Sequence, residues 1–390
     1  MQQYNFYKSA ELGSLVLKNR FIKAATFEGM YDDGIPNKKL VDFHSSMAKG
    51  GVGLTTISYA SVSANGRTFK DQMYVNPESL VGLRRVVEAV HEVGGKISIQ
   101  LTHCGYFSKN TRNGVPIAPS RVLNEYGMLS GLPFSKAMNE SDLEETKKDF
   151  VWSAQQLKRI GFDTLELHLG HGYLLSQFLS PKTNKRKDQY GGSLENRARY
   201  PLEVFRAIKD AVGTNFPVLV KLNLEDGFKK GFSVEDCIEV CKKLESANCD
   251  GVVLSGGFTS KSPFFLLRGD VPLKGMVKNG SNWAEKLTMA LFGPAIIKKY
   301  NYSSNFFLEL AKRVRQQVKL PLVYLGGVDS RQGIEEIQKA GFDFVAIGRA
   351  LIHDPNFLQK IENGEISKSG CTHCNQCIVE MDRGGVRCTL

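Results

Sequence analysis

Eight short apolar runs rich in β-branched residues alternate with eight longer amphipathic stretches along this chain, and that alternation limits the fold more than any other feature. The runs fall at 21–25, 52–58, 96–101, 164–168, 218–222, 251–255, 322–325 and 344–347. Helical periodicity occupies 38–49, 78–93, 141–160, 195–212, 234–247, 304–318, 330–340 and 354–362. Strand–helix repetition makes successive strands parallel. A closed (β/α)8 TIM barrel, an α/β fold, is the simplest arrangement. An open doubly wound sheet is the alternative, and the lack of a Gly-x-Gly-x-x-Gly after the first run counts against its dinucleotide-binding form. The 390 residues exceed the roughly 250 of a plain barrel. The excess collects in three long connections, 104–140, 175–194 and 257–303. Each follows a strand, so each is expected at the C-terminal mouth, and loops this long in a compact domain are usually functional.

Composition narrows the setting. Hydrophobic residues make up 42% of the chain, enough for a sizeable core, yet no stretch approaches the roughly 18 apolar residues of a membrane span. The opening Met1-Gln-Gln-Tyr-Asn has no basic region followed by an apolar run, so no secretory signal is expected. Eight cysteines in that context point to a reducing, cytoplasmic compartment, with thiols or metal ligands rather than disulfides. The net charge is +11, but lysines and arginines are dispersed, as at Lys147-Lys148 and Lys242-Lys243, and read as solvated helix faces. The expected partner is a small-molecule substrate, not nucleic acid or a membrane; a homo-oligomer is compatible with the sequence.

The fourth strand ends in His168-Leu169-Gly170-His171-Gly172-Tyr173. In a barrel, catalytic groups stand at such strand ends. Two imidazoles three residues apart, with glycines between, can converge on one oxygen and polarise a carbonyl as neutral donors. Tyr173 is placed as a proton donor. The third strand ends Ile99-Gln100-Leu101-Thr102-His103; a buried Gln100 needs partners, either backbone or a ring edge with donors and acceptors. Lys221, amid Val218-Leu219-Val220 and Leu222, needs an anion or acts as a Schiff-base amine. The last two strands end in Leu325-Gly326-Gly327-Val328 and Ala346-Ile347-Gly348-Arg349, where barrels commonly bind phosphate; glycines let backbone N–H groups approach, and Arg349 can fork onto phosphate oxygens.

The chain resembles the Old Yellow Enzyme family of FMN-dependent ene-reductases. The matching residues are Leu17-Lys18-Asn19-Arg20, Gln100-Leu101-Thr102-His103, the His168–Tyr173 segment, Phe178-Leu179-Ser180-Pro181 with Asn184, Tyr190-Gly191-Gly192-Ser193, Glu195-Asn196-Arg197, Gly326-Gly327, and Gly348-Arg349 with Asp354-Pro355. They run in order over residues 5 to 362, and 168–197 is the most specific part. The resemblance implies a division into an FMN-binding barrel, 1–365, and a Cys-rich tail, 366–390. It implies that Ala24, Ala25, Thr26 and Phe27 line the flavin, that Gln100 bonds its pyrimidine edge, that Lys221 stands near N1 and O2, and that Gly326, Gly327, Gly348 and Arg349 hold the phosphate. It implies ping-pong reduction of activated C=C bonds in α,β-unsaturated carbonyl compounds, with NAD(P)H as reductant, His168 and His171 on the carbonyl oxygen and Tyr173 as proton donor. Three positions depart from the family pattern: Phe27 where Thr or Cys is common, Gly105-Tyr106 for Gly-Arg, and Tyr59 for a small residue.

The tail carries Cys371-x2-Cys374-x2-Cys377-x10-Cys388, with His373 between. Uncomplexed thiols are one reading. A metal, either zinc or an iron–sulfur cluster, is the other, since both take four such ligands. Multidomain relatives such as dienoyl-CoA reductase carry a similar Cys-Asn-Gln, with one spacing a residue longer. Two other function classes stand beside the reductase: a Schiff-base lyase using Lys221, and a nucleic-acid binder using the tail as a zinc knuckle.

Overall fold

The computed structural model describes residues 5–280 and 282–390. Eight parallel strands close into a barrel: Phe21–Lys23, Leu54–Ser61, Ile97–Thr102, Thr164–Leu169, Val218–Asn223, Gly251–Ser255, Leu322–Leu325 and Phe344–Ile347, the eighth hydrogen-bonded back to the first. The expected TIM barrel is therefore the fold. The opening stretch read as lacking a secretory signal begins with residues 1–4, outside the described residues.

Side-chain alternation explains why charged residues sit inside apolar strands. In the fourth strand Leu165, Leu167 and Leu169 face the surrounding helices, and in the fifth Val218, Val220 and Leu222 do the same. The opposite parity, Glu166 and His168 with Leu219 and Lys221, belongs to the barrel interior. There, Ile22, Leu54, Leu219, Val253, Val323 and Phe344 form an apolar plug, each full burial worth about 1.5–3 kcal/mol. Leu12 and Leu17 complete it from a hairpin, Ala10–Leu12 with Leu15–Leu17, that turns at Gly13 with φ +59° and seals the N-terminal end. The alternation pattern alone does not anticipate this hairpin.

The outer helices are Lys38–Lys49, Pro77–Glu92, Glu140–Arg159, Leu194–Val212, Val234–Ser246, Leu308–Arg315, Arg331–Lys339 and Phe357–Glu362. Reciprocal caps start three of them, Asn76 with Ser79, Asn139 with Asp142 and Ser233 with Asp236. Two helix starts differ from expectation by more than one residue. The stretch 304–318 begins only at Leu308, since Asn305 takes a left-handed φ of +52°. The stretch 354–362 begins at Phe357, because Asp354, held extended before Pro355, first ends a short helix, Arg349–His353.

The three long connections all leave the C-terminal ends of strands. The one after the sixth strand carries two helices, Leu273–Lys278 and Trp283–Ile296. The tail crosses the same end of the barrel, with Asn375, Val379 and Val386 buried. Among the described residues no helix is long and apolar enough to cross a membrane.

Candidate active site

The loop leaving the fourth strand is tightly specified. His171 adopts φ +58°, a left-handed conformation that costs about 1–2 kcal/mol outside glycine. Its backbone N–H donates to Asn223 Oδ1 at 3.0 Å, and its carbonyl accepts from the backbone N–H and the hydroxyl of Thr259, each at 2.9 Å. Gly172, at φ +79°, faces the Phe258 ring so closely that a Cβ there would overlap it. These contacts fix two imidazoles with ring centroids 4.8 Å apart and planes at 89°.

The electrostatics of the pair follow from burial. Gly170 N–H donates to His168 Nδ1 at 3.2 Å, which leaves the ring proton on Nε2. His171 Nε2 lies 2.7 Å from Ser255 Oγ. Burial, reinforced by the charge of Lys221, pushes His171 down to about 3. Burial, with His171 and Lys221 adding to it, holds His168 well below the ordinary imidazole value. Both rings are neutral near pH 7. Tyr173 is buried with its ring 4.9 Å from His168, and burial raises its hydroxyl above the ordinary phenol value against the hydrogen bonds of Tyr59 and Thr259. It is a protonated phenol beside two neutral donors.

Below this cluster, Glu166 Oε1 accepts from Gln100 Nε2 at 2.5 Å and pairs with Lys221 Nζ at 2.8 Å. The register that sets Glu166 beside Gln100 and His168 beside Lys221 builds this layer from three neighbouring strands. The anion that Lys221 requires is thus internal. Glu166 was absent from the sequence-derived residues, although its charge in an apolar strand, two positions before His168, was the same signal that singled out Lys221.

A cavity opens beside these residues at the barrel mouth. Ala24, Ala25, Thr26, His171, Lys221, Gly326, Gly327, Gly348 and Arg349 line it. Phe27, Gln100, His168 and Tyr173 flank the cavity without lining it. Thr26 Oγ1 is buried with no hydrogen-bond partner, a donor–acceptor waiting for one. Gly326 and Gly327 take φ of +145° and +79°, and a Cβ on either would strike Phe307 or Phe306. Gly348 is less constrained, since a Cβ there meets only the Thr26 methyl at 3.6 Å. An orphaned hydroxyl, a glycine cradle and a neighbouring cation fit a phosphate-bearing flavin.

The tail completes the cavity wall, which the sequence reading did not foresee. His373 lines it, stacked on Tyr302 with centroids 3.3 Å apart. Asp329, an acid in the same wall, lies 3.4 Å from His373 Nε2 and pairs with Lys368 Nζ at 3.6 Å. Arg349 Nη1 donates to the carbonyl of Arg268 and to Asn375 Oδ1, both at 2.7 Å. A metal at Cys371, Cys374, Cys377 and Cys388, one of the two readings of the tail, is not shown: among the described residues no group of three or more His, Cys, Asp or Glu converges to hold an ion. Two thiols instead engage different histidines, Cys388 with His353 at 3.2 Å and Cys371 with His373 at 3.7 Å.

The unusual residues Phe27 and Tyr59 form one feature. Their rings stack at 5.4 Å, and Tyr59 leans on Tyr173 at 5.0 Å. A register shift between Ile57 and Ala60 brings Tyr59 to the rim. Tyr106 instead supports the loop after the sixth strand, its hydroxyl 2.7 Å from Ser260 Oγ.

The model of the NADH:flavin oxidoreductase / NADH oxidase family matches residues 5–256. A 4,4'-dithiodibutanoate disulfide reductase of Rhodococcus erythropolis is 36% identical, covering 99% of this chain and 95% of that protein. An NADPH dehydrogenase of Bacillus subtilis is 30% identical over 88% of this chain and 90% of its own. An NADH oxidase of Thermoanaerobacter brockii is 30% identical over 95% of this chain, which spans only 53% of that longer protein. Among solved structures, morphinone reductase in complex with tetrahydroNAD shares the fold, with a TM-score of 0.73 at 24% identity over 94% of this chain and 93% of that one.

Proposed function

The chain belongs to the NADH:flavin oxidoreductase / NADH oxidase family, that of Old Yellow Enzyme, and is a flavin-dependent NAD(P)H oxidoreductase; from that premise we propose that it binds FMN and reduces activated C=C bonds conjugated to a carbonyl. The observation that carries this reading is the arrangement of two neutral, perpendicular imidazoles and one protonated phenol at the rim of the cavity. When bound, FMN supplies a hydride taken from NAD(P)H and delivered to the substrate's β-carbon. Gln100 and Lys221 would hold its pyrimidine edge, Thr26 a ring heteroatom, and Gly326, Gly327, Gly348 and Arg349 its phosphate.

The protein's own groups do the rest. His168 Nε2–H and a ring N–H of His171 bind the carbonyl oxygen. Because neither ring is charged, they stabilise the enolate-like oxygen without protonating it. Tyr173 then gives its hydroxyl proton to the α-carbon. The aromatic wall of Phe27, Tyr59 and Tyr173 excludes water from that transfer. A Schiff-base role for Lys221 is disfavoured, because its amine is held by Glu166.

A second substrate class, organic disulfides, is favoured by the 36% identity to the disulfide reductase. One experiment tests both. The protein is reconstituted with FMN, reduced anaerobically with NADPH or NADH, and mixed with 2-cyclohexenone or with 4,4'-dithiodibutanoate. Rapid reoxidation by the enone with formation of the saturated ketone is expected. Reoxidation by the disulfide alone would replace the ene-reductase reading, and failure to retain FMN would remove its basis.

A further inference from the structure

The segment after the sixth barrel strand holds a helix whose outer face no described element covers. In Trp283–Ile296, Trp283 is 77% exposed, Leu291 63% and Ile296 73%, with Leu287 and Phe292 at least half exposed. Trp283, Leu287 and Leu291 follow at four-residue steps and form one stripe. The helix is joined to the connection after the third strand through Glu285, whose Oε1 accepts from Ser130 Oγ at 3.4 Å. Beside Ser130, Met128 and Leu129 are each 44% exposed. The apolar surface therefore continues across two loops of the barrel mouth. Contiguous apolar surface of this kind marks an interaction site.

Charge decides between partners. Lys274, Lys278, Lys286, Lys298 and Lys299 are exposed around the stripe. Of the neighbouring acids, Glu285 is turned toward Ser130, and Asp270 is paired with Lys299 at 2.7 Å. A second copy docking through a twofold axis would set these lysines against their own equivalents. An anionic lipid surface offers headgroup charge to the lysines flanking the helix and acyl chains to the tryptophan and leucines. With 14 residues the helix falls short of the roughly 20 needed to span a bilayer. The chain's net charge of +11 adds long-range attraction.

We propose that the Trp283–Ile296 helix, together with Met128 and Leu129, docks reversibly on an anionic membrane surface, with the barrel mouth turned toward the bilayer. This proposal departs from the expectation of no membrane partner; among the described residues no helix is long and apolar enough to span a bilayer.

The test is flotation of the full FMN-loaded protein with vesicles of phosphatidylglycerol and phosphatidylcholine, beside vesicles of phosphatidylcholine alone. Expected are co-flotation with the anionic vesicles only, release by high salt, and a shift of Trp283 emission to shorter wavelength in a Trp152→Phe background. Leu287→Asp/Leu291→Asp should abolish binding. Lys278→Glu/Lys286→Glu should weaken it by about 25-fold or more, since one basic residue near such a surface is worth about fivefold. Both double variants should keep NADPH-dependent turnover of a water-soluble enone. No flotation with anionic vesicles, or equal binding to both vesicle types, would overturn the proposal. So would a concentration-dependent dimer broken by Leu287→Asp/Leu291→Asp without vesicle binding, which would assign the face to a second copy.

Discussion

Replacing Glu166 with leucine removes the partner of two buried donors at once. Lys221 Nζ and Gln100 Nε2 both reach the same oxygen, at 2.8 and 2.5 Å, and Lys221 is 1% exposed. Removing one member of a buried ion pair costs about 3–5 kcal/mol. Orphaning a buried amide donor costs about 1–3 kcal/mol more. The two donors share one acceptor and are not independent, so about 4–6 kcal/mol is expected rather than the full sum. Unfolding entropy of about 2.1 cal/mol/K per residue over 390 residues turns this into a fall in Tm of about 5–7 °C. The double variant Glu166→Leu/Lys221→Met should recover most of the loss, because apolar replacement of a whole buried pair is near neutral. Thermal melts of the four proteins in the cycle, with and without FMN, provide the measurement. A double variant as unstable as Glu166→Leu alone would refute the claim that Glu166 serves as the internal anion for Lys221.

Tyr173→Phe should slow reoxidation of the reduced enzyme by enone about 10²–10⁴-fold while reduction by NAD(P)H stays near normal in stopped-flow traces; equal losses in both halves would contradict the proton-donor role. Stability should fall as pH drops below 6.5. His171 titrates near 3 and His103 near 4 in the fold, both lowered by burial, so the unfolded chain takes up their protons first. Each ring contributes a slope of about 1.4 kcal/mol per pH unit between 6.5 and its folded value. Urea midpoints for His171→Gln should show a slope shallower by one proton, and an unchanged profile would count against the burial of that ring. Gly327→Ala should weaken FMN binding about 10–100-fold, through a φ of +79° and a Cβ 2.7 Å from the Phe306 ring. Gly364→Ala, at the same φ with open space around it, should keep its flavin; equal flavin retention by both variants would remove the cradle role.

The barrel was legible because its signal is local. Strand parity and strand–helix alternation survive in any eight-fold repeat, and the motif around His168 and Tyr173 spans only six residues. The features that escaped depend on neighbours distant in sequence. Glu166 is visible as a buried charge, but its pairing with both Gln100 and Lys221 needs the register of three strands. Asn223 and Ser255, which hold His171, stand at the ends of two other strands. Phe27 and Tyr59 read as two unrelated departures until the second strand's irregularity stacks them. Cysteine spacing in the tail was readable, whereas the contact of Asn375 with Arg349 rests on how the tail crosses the mouth.

The connection after the sixth strand has two mechanical parts. Its first residues are clamped: Phe258 bridges to His171, Thr259 bonds its carbonyl, and Ser262 Oγ donates to the carbonyl of Asp226 at 2.7 Å. Its far end is the exposed helix. A foot bound to the imidazole pair and a tip free of it can vary at different rates. Mutational drift in the tip can change where the molecule settles or what it meets, while drift in the foot would disturb His171 first. A lineage carrying this connection could therefore acquire new surroundings without renegotiating its chemistry.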